Sequence, residues 1–146
     1  MEERARLGMA MFLVSDAVLF LFLIIGVVYF KERAALASAG IACTILLAAS
    51  SITMWRAASG AALRIWLTAT ILLAAGSLWA QGLGGFPATP ALLTLLGCHH
   101  FHIALGVVLL GIALWRGSSV IVKTIALYWY FVVAVWIAIV AIRFIV

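Results

Sequence analysis

Charge, proline and cysteine are all scarce in this chain, and each shortage rules something out. Only 9% of the 146 residues are charged, and just four are Asp or Glu. A soluble chain of this length needs a polar shell over its core, and none can be assembled from so few polar groups. The two prolines, Pro87 and Pro90, fall in one short stretch, so every long apolar run is free of the residue that breaks helices. The two cysteines, Cys43 and Cys98, sit inside apolar runs without metal-ligand spacing, and they read as buried free thiols. The strict polar/apolar alternation of barrel strands is missing as well, which excludes a β-barrel. The nine basic residues leave a net charge of +5, spread too thinly for a nucleic-acid partner.

What is there is hydrophobic: 68% of residues are apolar and the mean hydropathy is +1.34. About 20 helical residues match the ~30 Å hydrocarbon layer of a bilayer, and five runs reach that length: residues 8–30, 36–56, 63–81, 92–115 and 120–145. Only a helix satisfies its backbone groups without a neighbouring strand, so each run is expected to be helical. The expected fold class is an all-α, polytopic integral membrane protein, a single transmembrane domain over residues 1–146 built as a five-helix bundle. Connectors are short: Lys31-Glu32-Arg33, Arg56–Arg64, Gly82–Pro90 with its Gly-Leu-Gly-Gly start and two prolines, and Arg116–Val120. The first run does not read as a cleavable signal peptide, since it is too long, carries Asp16, and ends in charge without a small-residue cleavage site.

Basic residues give the orientation. Arg4, Arg6, Arg56, Arg64, Arg116 and Lys123 fall on one side, against Lys31, Arg33 and Arg143 on the other. The positive-inside rule then places the N-terminus in the cytoplasm and the C-terminus outside. Trp55, Trp66, Trp79 and Trp115 lie near run ends, as interfacial anchors do, whereas Trp129 and Trp136 lie deeper and are expected to pack between helices. Arg56, Arg64 and Arg116 are candidates for contact with lipid headgroups on the cytoplasmic side.

Polar residues inside the runs are the candidates for function. Trp66, Thr70, Ala74, Ser77 and Gln81 recur at helical spacing in the third run, as do His99, His102, Gly106 and Ala113 in the fourth. The second run adds Ala48, Ala49, Ser50, Ser51 and Thr53. Small and weakly polar stripes of this kind mark close helix approach. Ionisable groups inside a membrane are expensive and therefore functional candidates. A rise of ~1.5 Å per residue puts Asp16 and His102 within about 6 Å of each other in depth. A buried carboxylate needs a hydrogen-bond partner or a proton, so Asp16 is expected to pair with His99 or His102, His102 being the better match in depth. Four roles are open for the histidines: a metal site, for which two ligands on one helix are too few; a bis-histidine haem, which would need a dimer; a proton relay; or a hydrogen-bonded pair that fixes packing.

Around these residues the sequence resembles subunit III of the haem–copper terminal oxidases. The family's Gly-x-His-x-x-His-x-x-x-Gly pattern is matched by Gly97, His99, His102 and Gly106. Leu7–Asp16 is similar to its opening helix, in which serine precedes an intramembrane carboxylate. Leu46–Thr53 is similar to its leucine-rich stretch with Ser-Ser-x-Thr, Trp66–Thr70 and Gln81 take family-like positions, and Tyr128–Trp136 resembles its last helix. The likeness is colinear over all five runs and is to the short, five-helix form of bacterial quinol oxidases. The chain departs from the pattern where Tyr130 and Val133 replace a histidine and an aspartate, and where Gly84 replaces an acidic residue. Its polar network is thinner for it.

The resemblance implies an accessory subunit with no catalytic residues and no haem, copper or other metal of its own, those groups belonging to partner subunits. It implies packing against the catalytic subunit I, bound phospholipid, and support of turnover stability and proton uptake in a bacterial or archaeal cytoplasmic membrane. Whether the chain counts as part of an enzyme depends on that complex. Three alternatives stay open: a subunit III-like protein of a nitric oxide reductase, a small proton-linked transporter using Asp16 and the histidines, and a haem-carrying anchor of a dehydrogenase.

Overall fold

The computed structural model describes residues 2–30, 38–60, 62–83 and 89–145. They form α1 (Glu2–Tyr29), α2 (Ser38–Ala58), α3 (Leu63–Leu83), α4 (Pro90–Arg116) and α5 (Ser119–Ile145), and no strand occurs among them. All five helices are long and apolar enough to cross a membrane, which fits a multi-pass membrane protein.

The ends depart from the apolar runs where local chemistry outlasts hydrophobicity. Helix α1 starts at Glu2 rather than Gly8, because Glu, Arg, Ala and Leu are good helix formers whether or not they are apolar. Pro90 takes the first turn of α4, where the N–H it lacks would have had no partner. The link between α4 and α5 shrinks to Gly117 and Ser118. Gly117 has φ +63° and its N–H bonds back to Ala113 O at 2.9 Å, a left-handed cap that suits glycine. The turn from α2 to α3 uses the same region twice, at Gly60 (φ +87°) and at Ala62 (φ +46°), whose carbonyl receives the N–H groups of Ile65 and Trp66. The 31–33 connector, Leu36 at the expected start of the second run, and residues 84–88 of the Gly82–Pro90 loop lie outside the described residues.

Cross-helix contacts fix direction and register. Thr53 and Thr70 share a hydroxyl bond of 2.8 Å while the Gln81 amide donates to Cys43 Sγ, so α2 and α3 run antiparallel. Trp129 Nε1 donates to Ser50 Oγ at 3.1 Å and Trp136 Nε1 to Thr44 Oγ1 at 2.9 Å, so α5 also runs against α2. Tyr128 meets His102, and Trp136 meets His99, which sets α4 against α5. With α3 touching α4, helices α2 to α5 close a four-membered ring. Helix α1 stands outside it, against α4 and α5, without reaching α2 or α3 among the described residues.

The ring interior holds Leu47, Met54, Leu67, Ile103, Leu110, Tyr128 and Trp129, all sealed. The outside is apolar too: Phe22, Leu72 and Phe101 are each about two-thirds exposed. On a soluble monomer so much exposed apolar surface would be an aggregation hazard; on a bilayer-spanning bundle it faces lipid. Two expectations need correction. Ala48 points outward, because α2 turns Leu47, Ser50 and Met54 into the ring instead. Cys98 is half-buried, because it lies on the flank of α4 beside α1.

Candidate functional site

Helix α4 carries its three histidines within a single turn, and the helical period points them at different neighbours. His102 faces α1, where its Nε2 lies 3.2 Å from Asp16 Oδ2. Both side chains are enclosed, about 7% exposed for His102 and 13% for Asp16. Phe20, one turn along α1, puts its ring edge against His102 at 5.0 Å and helps to exclude solvent.

The other ring nitrogen defines the proton count. His102 Nδ1 lies 2.8 Å from the carbonyl of Cys98, and a carbonyl can only accept, so Nδ1 carries a hydrogen. Nε2 and Oδ2 then share one proton between them: carboxylic acid against neutral imidazole, or carboxylate against imidazolium. The pair is neutral overall in either form, which avoids the cost of an isolated charge in a low-dielectric interior. Cys98 Sγ sits 3.8 Å from the same Nδ1, a longer contact with a soft acceptor.

The far side of the pair is tied to α5. Tyr128 OH donates to the His102 carbonyl at 2.9 Å. This approach needs a gap in α4, and Gly106 provides it: a Cβ there would lie 2.8 Å from Trp129 Cζ3 and 3.3 Å from Tyr128 Cε1. Trp129 in turn donates to Ser50 on α2. A single connected path thus runs from Asp16 through His102, Tyr128 and Gly106 to Trp129 and Ser50, across four helices.

The remaining candidates fall elsewhere. His99 is sealed and bonds neither to Asp16 nor to any other group among the described residues; it stacks on Trp136 at 5.2 Å with an interplanar angle of 20°. His100 ties back through Nδ1 to Leu96 O on its own helix. Gly97, the first glycine of the histidine pattern, faces outward, and a Cβ on it would meet nothing within 4 Å. Among the described residues no three His, Cys, Asp or Glu side chains gather closely enough to hold a metal ion.

Arg4, Arg6, Arg56, Arg64, Arg116 and Lys123 all sit at one end of the bundle, as strict antiparallel alternation requires, and Arg143 sits at the other. Lys31 and Arg33 lie outside the described residues. Arg56, Arg64 and Arg116 are exposed, and the Arg56 guanidinium stacks over Trp55 and Trp66 at 5.5 and 6.0 Å, a cation–π contact at the level where indoles mark an interface.

Two contributors were not read as site residues from the sequence. Tyr128 places its hydroxyl on the histidine's own carbonyl, and Cys98 precedes His102 by four residues, a spacing that brings two side chains together along a helix. Only the second left a trace that spacing alone reveals. No family model matches the sequence, and no curated protein matches it either.

Proposed function

We propose that this chain is an accessory, non-redox membrane subunit of a respiratory haem–copper oxidase, of the short subunit III kind. In this reading it spans a bacterial or archaeal cytoplasmic membrane with its basic end inside. It packs against the catalytic subunit, and any haem and copper belong to partners. The observation that carries it is convergence. Asp16, Ser50, the His102–Gly106 pattern and Tyr128–Trp129 come from four separated stretches that resemble the family, and they touch one another in the fold. Residues that resembled the family by chance would have no reason to meet.

The chemistry available agrees with a supporting role. The buried pair is neutral, lies in mid-bundle, and is tied to α5 through the helix backbone, an arrangement that fixes helix positions. One end of the bundle carries six of the seven described basic residues, which on the positive-inside rule favours an N-terminus in the cytoplasm. The apolar exterior leaves room for both lipid and a partner subunit.

Purification of the tagged full-length chain in mild detergent tests the proposal. Larger subunits with haem absorbance should co-elute with it. A colourless, partner-free oligomer from cells that respire aerobically would overturn the subunit reading and favour a small transporter. A Soret band from the homogeneous chain itself would point to a haem-carrying anchor instead.

A further inference from the structure

His99 holds polar atoms that the bundle does not use. Its side chain is completely enclosed, and neither Nδ1 nor Nε2 has a hydrogen-bond partner among the described residues. The stack on Trp136 supplies none. At an interplanar angle of 20° the imidazole lies flat on the indole, so both nitrogens point past it along the plane of the ring. Phe20 adds only an edge contact, at 6.4 Å between ring centres. A neutral imidazole has one N–H to give and one lone pair to fill, whichever tautomer it takes. Leaving both unmet in an interior is costly, and an apolar residue of similar size would pack there without that cost.

A second orphan stands at the same level. Trp136, which carries His99 on its face, donates to Thr44, and Gln81 donates to Cys43, the residue before Thr44. His99 and Gln81 are therefore within about one helical turn of each other in height. They lie on α4 and α3, which pack side by side. The Gln81 Nε2 is taken by the cysteine, and its Oε1 is buried with no partner among the described residues. Reversing the amide would orphan the nitrogen instead, so the demand for a partner holds in either orientation. One turn earlier on α3, Ser77 is sealed as well. Its hydroxyl hydrogen goes to Ala74 O at 2.7 Å, which leaves the oxygen able to accept.

We infer that these three side chains form an internal hydration site, in which bound water bridges His99 on α4 to Gln81 and Ser77 on α3. Chemistry selects water as the ligand. It both donates and accepts, and buried waters make about three hydrogen bonds to polar groups that otherwise lack them. An ion would bring a charge that no described side chain at this level balances. Toward the basic end the ring closes over Met54, Leu67 and Leu110, and the Trp129 indole is already satisfied by Ser50, so that half is dry. The inference rests on side-chain geometry inside the ring and is independent of the oxidase assignment.

Radiolytic hydroxyl-radical footprinting of the full-length chain in mild detergent tests the site. Radicals formed from bound water oxidise the side chains beside it even where bulk solvent is excluded. Trp136 and Trp129 are matched probes: both are sealed indoles, and of the two only Trp136 lies at the hydrated level. Trp136 should be oxidised and Trp129 spared; equal labelling of the two would overturn the site. Two variants then separate hydration from packing. His99→Leu should abolish Trp136 labelling and lower the thermal midpoint by about 3 °C, the shift expected for about one lost hydrogen bond. Gln81→Leu should weaken Trp136 labelling and leave Trp129 unchanged. A midpoint that holds or rises in His99→Leu would show the imidazole to be a dry orphan. A fall with Trp136 labelling intact would reduce His99 to packing. Either result, or full Trp136 labelling in Gln81→Leu, would overturn the inference.

Discussion

The contact between α2 and α5 and the contact between α1 and α4 both bury polar groups, and they do so by different means. Between α2 and α5 the donors are indoles, Trp129 and Trp136, and the acceptors are the hydroxyls of Ser50 and Thr44, whose own hydrogens go to backbone carbonyls at 2.7 and 2.8 Å. Each bond is neutral, and a second one lies two turns away. Between α1 and α4 the polar contact is a single ionisable pair, Asp16 and His102, backed by few buried apolar side chains on α1. One contact is redundant and neutral; the other is singular, and its two members are costly to separate. The ring can lose one of its bonds and stay closed, whereas α1, held otherwise by the apolar packing of residues such as Phe20 and Val27 against α4 and α5, has a single polar pair to fix its depth.

The sharpest way to break that contrast is to remove half of the pair. Asp16→Ala leaves His102 buried without its partner and should cost about 3 kcal/mol, read as a lower unfolding midpoint in detergent. Asp16→Asn keeps the shape and offers an N–H to Nε2 while Nδ1 keeps its bond to Cys98 O, so it should cost under about 1 kcal/mol. Equal effects from the two substitutions would reduce the pair to ordinary packing.

Second in size is Gly106→Ala, which forces a methyl group into the Trp129 ring and should cost about 2 kcal/mol. Gly97→Ala, in the same sequence pattern, meets nothing within 4 Å and should be neutral or slightly stabilising in the isolated chain. Thermal unfolding of the two variants side by side checks both. Within the ring, Trp129→Phe removes one neutral bond to Ser50 and should cost about 1 kcal/mol, less than Asp16→Ala on the same assay; a larger loss would mean that the ring's bonds are not redundant. The last expected effect is a gain. Ala62 holds φ +46°, a region costly for a residue with a Cβ, so Ala62→Gly should stabilise by up to about 1 kcal/mol.

Much of this was legible in the sequence because bilayer thickness and helical rise are fixed lengths. They set the number of helices, the depth match between Asp16 and His102, and the interior place of Trp129 and Trp136. What was not legible depends on which helix neighbours which. Helix α1 is apolar on nearly every side, so its sequence has no face to read, and its position outside the ring could not be foreseen. Depth already favoured His102 over His99, but that His99 would turn away to stack on Trp136 depended on where α1 and α5 lie around α4. Gly97 and Gly106 look equivalent in a linear pattern, yet one faces outward and the other sits beneath an indole. Cys98 and Ala48 were misjudged for the same reason: an apolar run does not say which of its flanks will be covered.

The most direct test of the claim that Asp16 and His102 act as one neutral unit is a double-mutant cycle. The unfolding free energies of Asp16→Leu, His102→Leu and the double variant would be measured in the same bilayer or detergent. Each single substitution should cost about 3 kcal/mol by stranding its partner, and the double variant should return close to wild type, since a buried pair replaced by apolar residues is often neutral in stability. Losses that simply add in the double variant would contradict the pairing on which the attachment of α1 has been explained.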